Sequence, residues 1–209
     1  MGTRQLIARG LWLCAAAMAA LALAACGTAG KYPAAPASAT GTDYTYVIGP
    51  LDTVNIIVWR NADLSVTVPV RPDGRISAPL VDDLQAAGHH PQELAREIEK
   101  TLSKYIRDPV VTVVVNNFQG QYGEQIRIVG EAAKPQSLPY RKDMSLLDVM
   151  IQVGGLTDFA DGNGAVLVRG SEGGKQYSIR LRDLLKRGDI SANVQVRPGD
   201  VIIVPQSWF

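Results

Sequence analysis

The chain has 209 residues, 46% of them hydrophobic and 20% charged, with a formal net charge of +1. Residues 1–25 carry two of the 21 basic side chains and none of the 20 acidic ones, so the remainder holds 19 basic against 20 acidic groups and sits at −1. That balance excludes the basic stripe of a nucleic-acid binder and the polybasic patch of an anionic-lipid binder, and the remaining length suffices for one large domain or two small ones with their own cores.

In chain order, Arg4 and Arg9 precede an apolar run from Leu11 to Ala25 that ends in small residues. This is the layout of a signal peptide over 1–25, and its apolar run is shorter than the ~20 residues of a membrane-crossing helix. The ending Leu23-Ala24-Ala25-Cys26 resembles the bacterial lipoprotein box. The resemblance implies that the Cys26 thiol receives a diacylglycerol and becomes the mature N-terminus, the site of lipid attachment. The same residues also suit an ordinary signal peptide cut near Ala25, with Cys26 a free thiol. Cys14 leaves with the leader and an acylated Cys26 cannot pair, so no disulfide is expected, although an exported protein meets an oxidising compartment. Acyl chains, at ~0.8 kcal/mol per buried CH₂, then anchor the protein without a protein span. Residues 26–42, rich in Ala, Gly, Pro, Ser and Thr, read as a flexible tether.

The first globular block is expected over 43–117. Thr53 to Trp59 alternates as a half-buried strand with Val54, Ile56 and Val58 on one face. Ser65 to Val70 and Ile76 to Leu80 read as a hairpin across Arg71-Pro72-Asp73-Gly74-Arg75, where Pro72 presets φ and Gly74 is free to take a positive one. A helix is predicted from Pro91 to about Ile106, with Leu94, Ile98 and Leu102 on one face, stopped by Asp108-Pro109. Val110 to Val115 is continuously apolar and reads as a strand covered on both faces.

After the polar boundary Phe118 to Glu124, a second block is expected over 125–206. Strands are predicted at Gln125 to Val129 and Gln136 to Tyr140, then a helix from Ser145, capped by the Ser145/Asp148 spacing and ended by Gly154-Gly155. Ala165 to Arg169 and Gln176 to Arg180 flank Gly170 to Gly174 as a hairpin. Leu181 to Lys186 reads as a short helix, and Val194 to Val196, a turn at Arg197 to Asp200 and Val201 to Val204 close the block. Few helices among many short strands imply an α+β class in two small domains. The segments Gly49-Pro50-Leu51-Asp52 and Arg197-Pro198-Gly199-Asp200 echo one another, each a Pro-x-Asp turn before an apolar strand in which the carboxylate is expected to accept from backbone N–H groups two residues on. The echo suits a recurrent turn solution or a shared ligand role.

In order, these segments resemble the polysaccharide export lipoprotein family of Gram-negative bacteria. Tyr46 to Asp52 with Val54 to Trp59, then Val70 to Ile76 with Pro79-Leu80, Ala87-Gly88 and Asp108-Pro109-Val110, look like its export domain. Val129-Gly130, Gly154-Gly155-Leu156, Ala160-Asp161, Val166 to Arg169 and Arg197 to Pro205 are similar to its soluble-ligand-binding β-grasp domain. The structural turn motifs singled out are Gly49, Pro50 and Asp52; Pro72, Asp73 and Gly74; and Pro198, Gly199 and Asp200. Where the family pattern has Gly-Pro-Gly-Asp, this chain has Leu51, which strains a turn that needs positive φ. The chain ends at Gln206-Ser207-Trp208-Phe209, without the C-terminal helix by which some members build a membrane barrel, so the short subtype is expected.

The resemblance implies a lipid-anchored protein on the inner leaflet of the outer membrane, facing the periplasm. It would form a homo-oligomeric ring that passes a polysaccharide chain outward, with a separate outer-membrane barrel and an inner-membrane chain-length or co-polymerase protein as partners. Gly27 and Thr28 after Cys26, in place of Asp, suit the outer-membrane address. A monomeric periplasmic carbohydrate-binding lipoprotein is the alternative, and a cell-wall enzyme a weaker third. His89-His90 has no companion ligands and reads as a solvated helix entry, while Asp82-Asp83, Asp158 and Asp161 read as turn carboxylates. No cofactor, metal or catalytic residue is expected. Trp59, Phe118, Tyr122, Tyr140 and Trp208 are the aromatic candidates for sugar contact, with Trp59 assigned to the core. Arg71/Arg75 and Arg180/Arg182 are candidate subunit contacts or solvated surface.

Overall fold

A computed structural model describes residues 32–36 and 44–208, so Cys26 and the signal peptide lie outside the described residues. The first domain contains β1 (Thr53–Val58), β2 (Val66–Pro69), β3 (Arg75–Ala78), β4 (Val81–Gln85), α1 (Pro91–Leu102) and β5 (Val111–Asn117). β1 buries Val54, Ile56 and Val58, the face its alternation marks, and lies between antiparallel β2 and β5. α1 opens at Pro91 with Glu93 accepting from the His90 N–H at 2.9 Å, and it buries Leu94, Ala95, Ile98 and Leu102 in the same core. It stops at Leu102, four residues before the expected end, and Tyr105 is exposed.

The expected hairpin is re-paired. Arg71 to Arg75 does make the tight turn, closed by Gly74 N–H to Arg71 O at 2.8 Å with Gly74 at φ 83°. β2, however, spends its ladder bonds on β1, while β3 pairs with β4 across Pro79-Leu80. β4 hid in the sequence because Asp82 and Asp83 look like turn residues. In the fold both are exposed, and Asp83 meets Arg71 at 2.5 Å and Arg75 at 2.9 Å. The valine strand also differs from expectation. β5 is an edge strand that alternates buried and exposed residues, so only Val111, Val113 and Val115 are covered and Val114 faces outward. Trp59 lies beyond the end of β1 with the opposite parity to Val58, so it is 66% exposed rather than in the core.

The second domain contains β6 (Ile126–Gly130), β7 (Ser137–Leu138), α2 (Leu146–Gln152), β8 (Ala165–Arg169), β9 (Lys175–Ile179), α3 (Leu181–Arg187) and β10 (Val201–Val204). The sheet order is β7-β6-β10-β8-β9, with β6 and β10 parallel at its centre and the other pairs antiparallel. The first and last long strands of the domain are thus neighbours. Gly130 permits this: at φ 90° its Cα lies so close to the Val204 carbonyl that an added Cβ would sit 2.0 Å from that oxygen. α2 is capped as its spacing implies, with Ser145 N–H donating to Asp148 Oδ2 at 2.9 Å. The helices bury Leu146, Val149, Met150, Leu181 and Leu184 in a core with Ile126, Ile128, Leu167 and Ile202. Helices beside antiparallel and mixed sheets make an α+β protein of two domains. Ala35, within the segment expected as tether, donates to Ser178 O at 3.2 Å. β9 is an edge strand of the sheet, and the chain here lies along it.

Candidate functional site

The two Pro-x-Asp segments adopt one geometry. Asp52 N–H reaches Gly49 O at 3.4 Å, and Asp200 N–H reaches Arg197 O at 3.1 Å. In each turn the carboxylate folds back, not forward as expected: Gly49 N–H donates to Asp52 Oδ2 and Arg197 N–H to Asp200 Oδ2, both at 2.8 Å. The third position is left-handed in both, at φ 70° for Leu51 and 79° for Gly199. Leu51 thus keeps the turn that a glycine suits, and its side chain is exposed.

Both aspartates are fully buried, and each uses its remaining capacity differently. Asp52 Oδ1 accepts from Gln119 N–H at 2.7 Å and Gly120 N–H at 3.0 Å, and the Tyr46 hydroxyl donates to its Oδ2. One carboxylate therefore ties the entry to β1 to the segment that joins the domains. Gly49 allows the approach, since a Cβ there would lie 2.0 Å from Gly120 O. Asp200 instead pairs with the buried Arg169, Nη1 to Oδ2 at 3.0 Å, while Arg169 Nη2 donates to Gln195 O at 3.2 Å. Burial pushes the Asp200 carboxyl up to about 6, against the opposing pull of Arg169 and Arg197. In the sequence Arg169 and Tyr46 stand out only as parts of motifs; an arginine inside an apolar strand is the available signal for the first.

Beside Asp52 a cleft of about 570 Å³ opens between the domains. Tyr44 and Tyr46 line it ahead of β1, Phe118 after β5, and Tyr140, Arg141 and Lys142 after β7. Tyr44 and Tyr140 meet edge to face at 4.8 Å between centroids, as do Tyr46 and Phe118 at 5.3 Å. The Tyr44 hydroxyl donates to Glu124 at 3.2 Å. Burial, then those carboxylate partners, hold the hydroxyls of Tyr44 and Tyr46 protonated well above the ordinary tyrosine range. Phe118 and Tyr140 of the expected aromatics are brought together here; Tyr122 stands under Arg127 at 5.6 Å and Trp208 is almost wholly exposed.

Residues 40–116 match the family model for the polysaccharide biosynthesis/export protein, and residues 124–204 match the model for the SLBB domain. The chain belongs to the polysaccharide export protein family. It is similar to the EPS I polysaccharide export outer membrane protein EpsA of Ralstonia nicotianae, 26% identical over 77% of this chain and 47% of that protein. It is also similar to the exopolysaccharide production protein ExoF of Rhizobium meliloti, 29% identical over 77% of this chain and 40% of that protein. The chain thus spans less than half the length of these relatives.

Among the described residues of this family member no helix is long and apolar enough to cross a membrane, and no group of three or more His, Cys, Asp or Glu side chains is placed to hold a metal ion. His89 faces Glu97 at 3.4 Å, and His90 Nδ1 lies 2.9 Å from Tyr46 O at the start of α1. Asp161 closes a turn by accepting from Gly164 N–H at 3.1 Å. Asp73 accepts from Arg71 and from Arg75 N–H, and the Arg71 bond holds its carboxyl below the usual range. Gly74 O receives the N–H groups of Ala86 and Ala87 at 2.9 and 2.8 Å. The arginines considered as subunit contacts are engaged within the chain: Arg180 with Asp183 and Asp189, and Arg182 with Ala160 O at 2.6 Å.

Proposed function

We propose that this protein is a non-enzymatic, acyl-anchored subunit of an oligomeric conduit that exports exopolysaccharide or capsular polysaccharide. Its signal peptide is residues 1–25, Cys26 carries the lipid, 26–42 is the tether, 43–117 the export domain and 125–206 the β-grasp domain. It sits on the inner leaflet of the outer membrane and faces the periplasm, with a separate outer-membrane barrel and an inner-membrane chain-length protein as partners. The observation that carries this is the ordered pair of family matches at 40–116 and 124–204, in a chain similar to proteins named for exopolysaccharide export and production. Oligomerisation draws support from the first sheet, in which the edge strand β5 pairs with β1 alone among the described strands and whose outer side shows Ile57, Val110 and Val114.

Deleting the gene and assaying polysaccharide secreted against polysaccharide retained in the periplasm tests the export role; unchanged secretion would sink it. Native mass measurement of the lipoprotein in mild detergent tests the ring, and a strictly monomeric species at high concentration counts against it. The junction cleft favours one second reading, a monomeric periplasmic lipoprotein that captures a carbohydrate. A saturable oligosaccharide site on a monomer, with secretion intact in the deletion strain, selects that alternative.

A further inference from the structure

We propose that the two Pro-x-Asp turns are a matched pair of docking sites for the segment between the domains, gripping it at its two ends and so fixing the angle at which the second domain stands on the first. The inference holds whether the chain works in a ring or alone.

The placement of glycine in the two turns is the first support. The third position is left-handed in both, and Leu51 at φ 70° shows that this position accommodates a side chain when it is exposed. Gly199 at φ 79° meets a further constraint: a Cβ there would stand 2.6 Å from the Gly123 carbonyl oxygen, and within 4 Å it would meet that carbonyl alone. At the first position the roles reverse. Arg197 carries a full side chain there, whereas Gly49, where no positive φ calls for glycine, would bring a Cβ to 2.0 Å from Gly120 O and 2.7 Å from the Gln121 nitrogen. Each turn therefore has its glycine where the connecting segment passes, at the first position in one and the third in the other.

Hydrogen bonds seat the same two ends. At the first, Asp52 Oδ1 accepts from Gln119 N–H and Gly120 N–H, and the Tyr46 hydroxyl accepts from Gly120 N–H at 3.1 Å. At the second, Gly199 N–H donates to Glu124 O at 3.1 Å, and the Glu124 carboxylate accepts from the Tyr44 hydroxyl. Between them lies a single tight turn, Tyr122–Glu124, closed by Glu124 N–H to Gln121 O at 2.9 Å. Domains joined by a flexible segment move relative to one another by default. A segment this short, fastened at both ends to different domains, has no slack for that motion. The echo between the two turns is thus a shared role, and what both turns bind is the protein's own backbone.

The test reads the distance between the domains in the full chain in detergent micelles. Spin labels are carried on p-acetylphenylalanine at the exposed positions of Tyr105 and Ile190, one in each domain, and the labelled protein is diluted into unlabelled protein so that electron–electron resonance reports distances within one chain. The parent is expected to give one narrow distribution, and Gly49→Ala and Gly199→Ala each to broaden or shift it. Gly49→Ala should also speed amide exchange at Gln119 and Gly120 by about tenfold or more, while β1, β6 and β10 exchange as in the parent, which separates a loosened joint from a general loss of stability. Gly188→Ala is the control: it is left-handed at φ 68° with open space around it, so it should keep the parent distribution. A broad parent distribution, an unchanged one in both alanine variants, or equal broadening in Gly188→Ala overturns the inference. Where either alanine variant exposes a domain core, a Gly-Gly insertion between Gly120 and Gln121 decides in its place. It keeps both docking turns and adds slack between them, so a distribution as narrow as the parent's overturns the inference and a broadened one supports it.

Discussion

Asp200 Oδ2 lies 3.0 Å from Arg169 Nη1, and neither side chain is exposed. The pair joins β8 to the turn that launches β10, at the centre of the second sheet. Arginine does not shed its proton, so its burial depends on the carboxylate and on the Gln195 carbonyl. Asp200 can shed its charge, and burial raises it to about 6 from an ordinary value of 3.8. The folded state therefore binds this proton more tightly than the unfolded chain. That contribution to stability is complete below about pH 4 and is lost as pH rises through 6.

Arg169→Met keeps the apolar stem and strands the carboxylate. Stability at pH 7.5 should fall by about 3 kcal/mol in urea denaturation, the scale for breaking a buried pair. At pH 5 the deficit should shrink, because the neutral acid is cheaper to bury than the lone anion. A deficit equal at both pH values would show that Asp200 carries no charge in the parent protein.

Asp52→Ala removes the acceptor for Gly49, Gln119 and Gly120. Each buried N–H left unpaired costs about 1–3 kcal/mol, so a loss of roughly 3 kcal/mol or more is expected. Hydrogen exchange should accelerate first at Gln119 and Gly120, ahead of β6 and β10. Uniform acceleration across the second domain would place the lesion elsewhere.

Leu51→Gly relieves a left-handed residue. The strain is about 1–2 kcal/mol for an L side chain, against about 0.5–1 kcal/mol of added chain entropy in the unfolded state. The exposed Leu51 forfeits little burial. A rise in thermal midpoint is expected, and a fall would mean that the leucine makes a contact worth more than its strain.

Ser145→Ala removes the cap of α2, whose hydroxyl accepts from Asp148 N–H at 3.4 Å. The expected loss is about 1 kcal/mol, read from the denaturation midpoint. A neutral result would show that the bond from Ser145 N–H to the Asp148 carboxylate holds the helix start unaided.

Elements defined by neighbours in the chain were legible. The alternation of β1, the cap at Ser145, the hairpin over Gly170 to Gly174 and the short helix after it all appear where their residues suggest. β4 was missed because two aspartates disguised a strand, and only the fold pairs Asp83 with Arg71 and Arg75. Trp59 was misassigned because bulk and apolarity outweighed parity: one residue past Val58, it points away from the core.

By itself the amino-acid sequence determined the α+β class, the two-domain order and the family, because periodic burial, capping and turn chemistry act over a few residues and leave local traces. Tertiary structure alone decided that β2 pairs with β1, that Asp52 fastens Gln119 and Gly120, and that Tyr44, Tyr46, Phe118 and Tyr140 share one cleft. These partners are separated by up to a domain length. Their meeting depends on which strands exhaust each other's hydrogen bonds and which surfaces close over the two cores, a choice the whole chain makes at once.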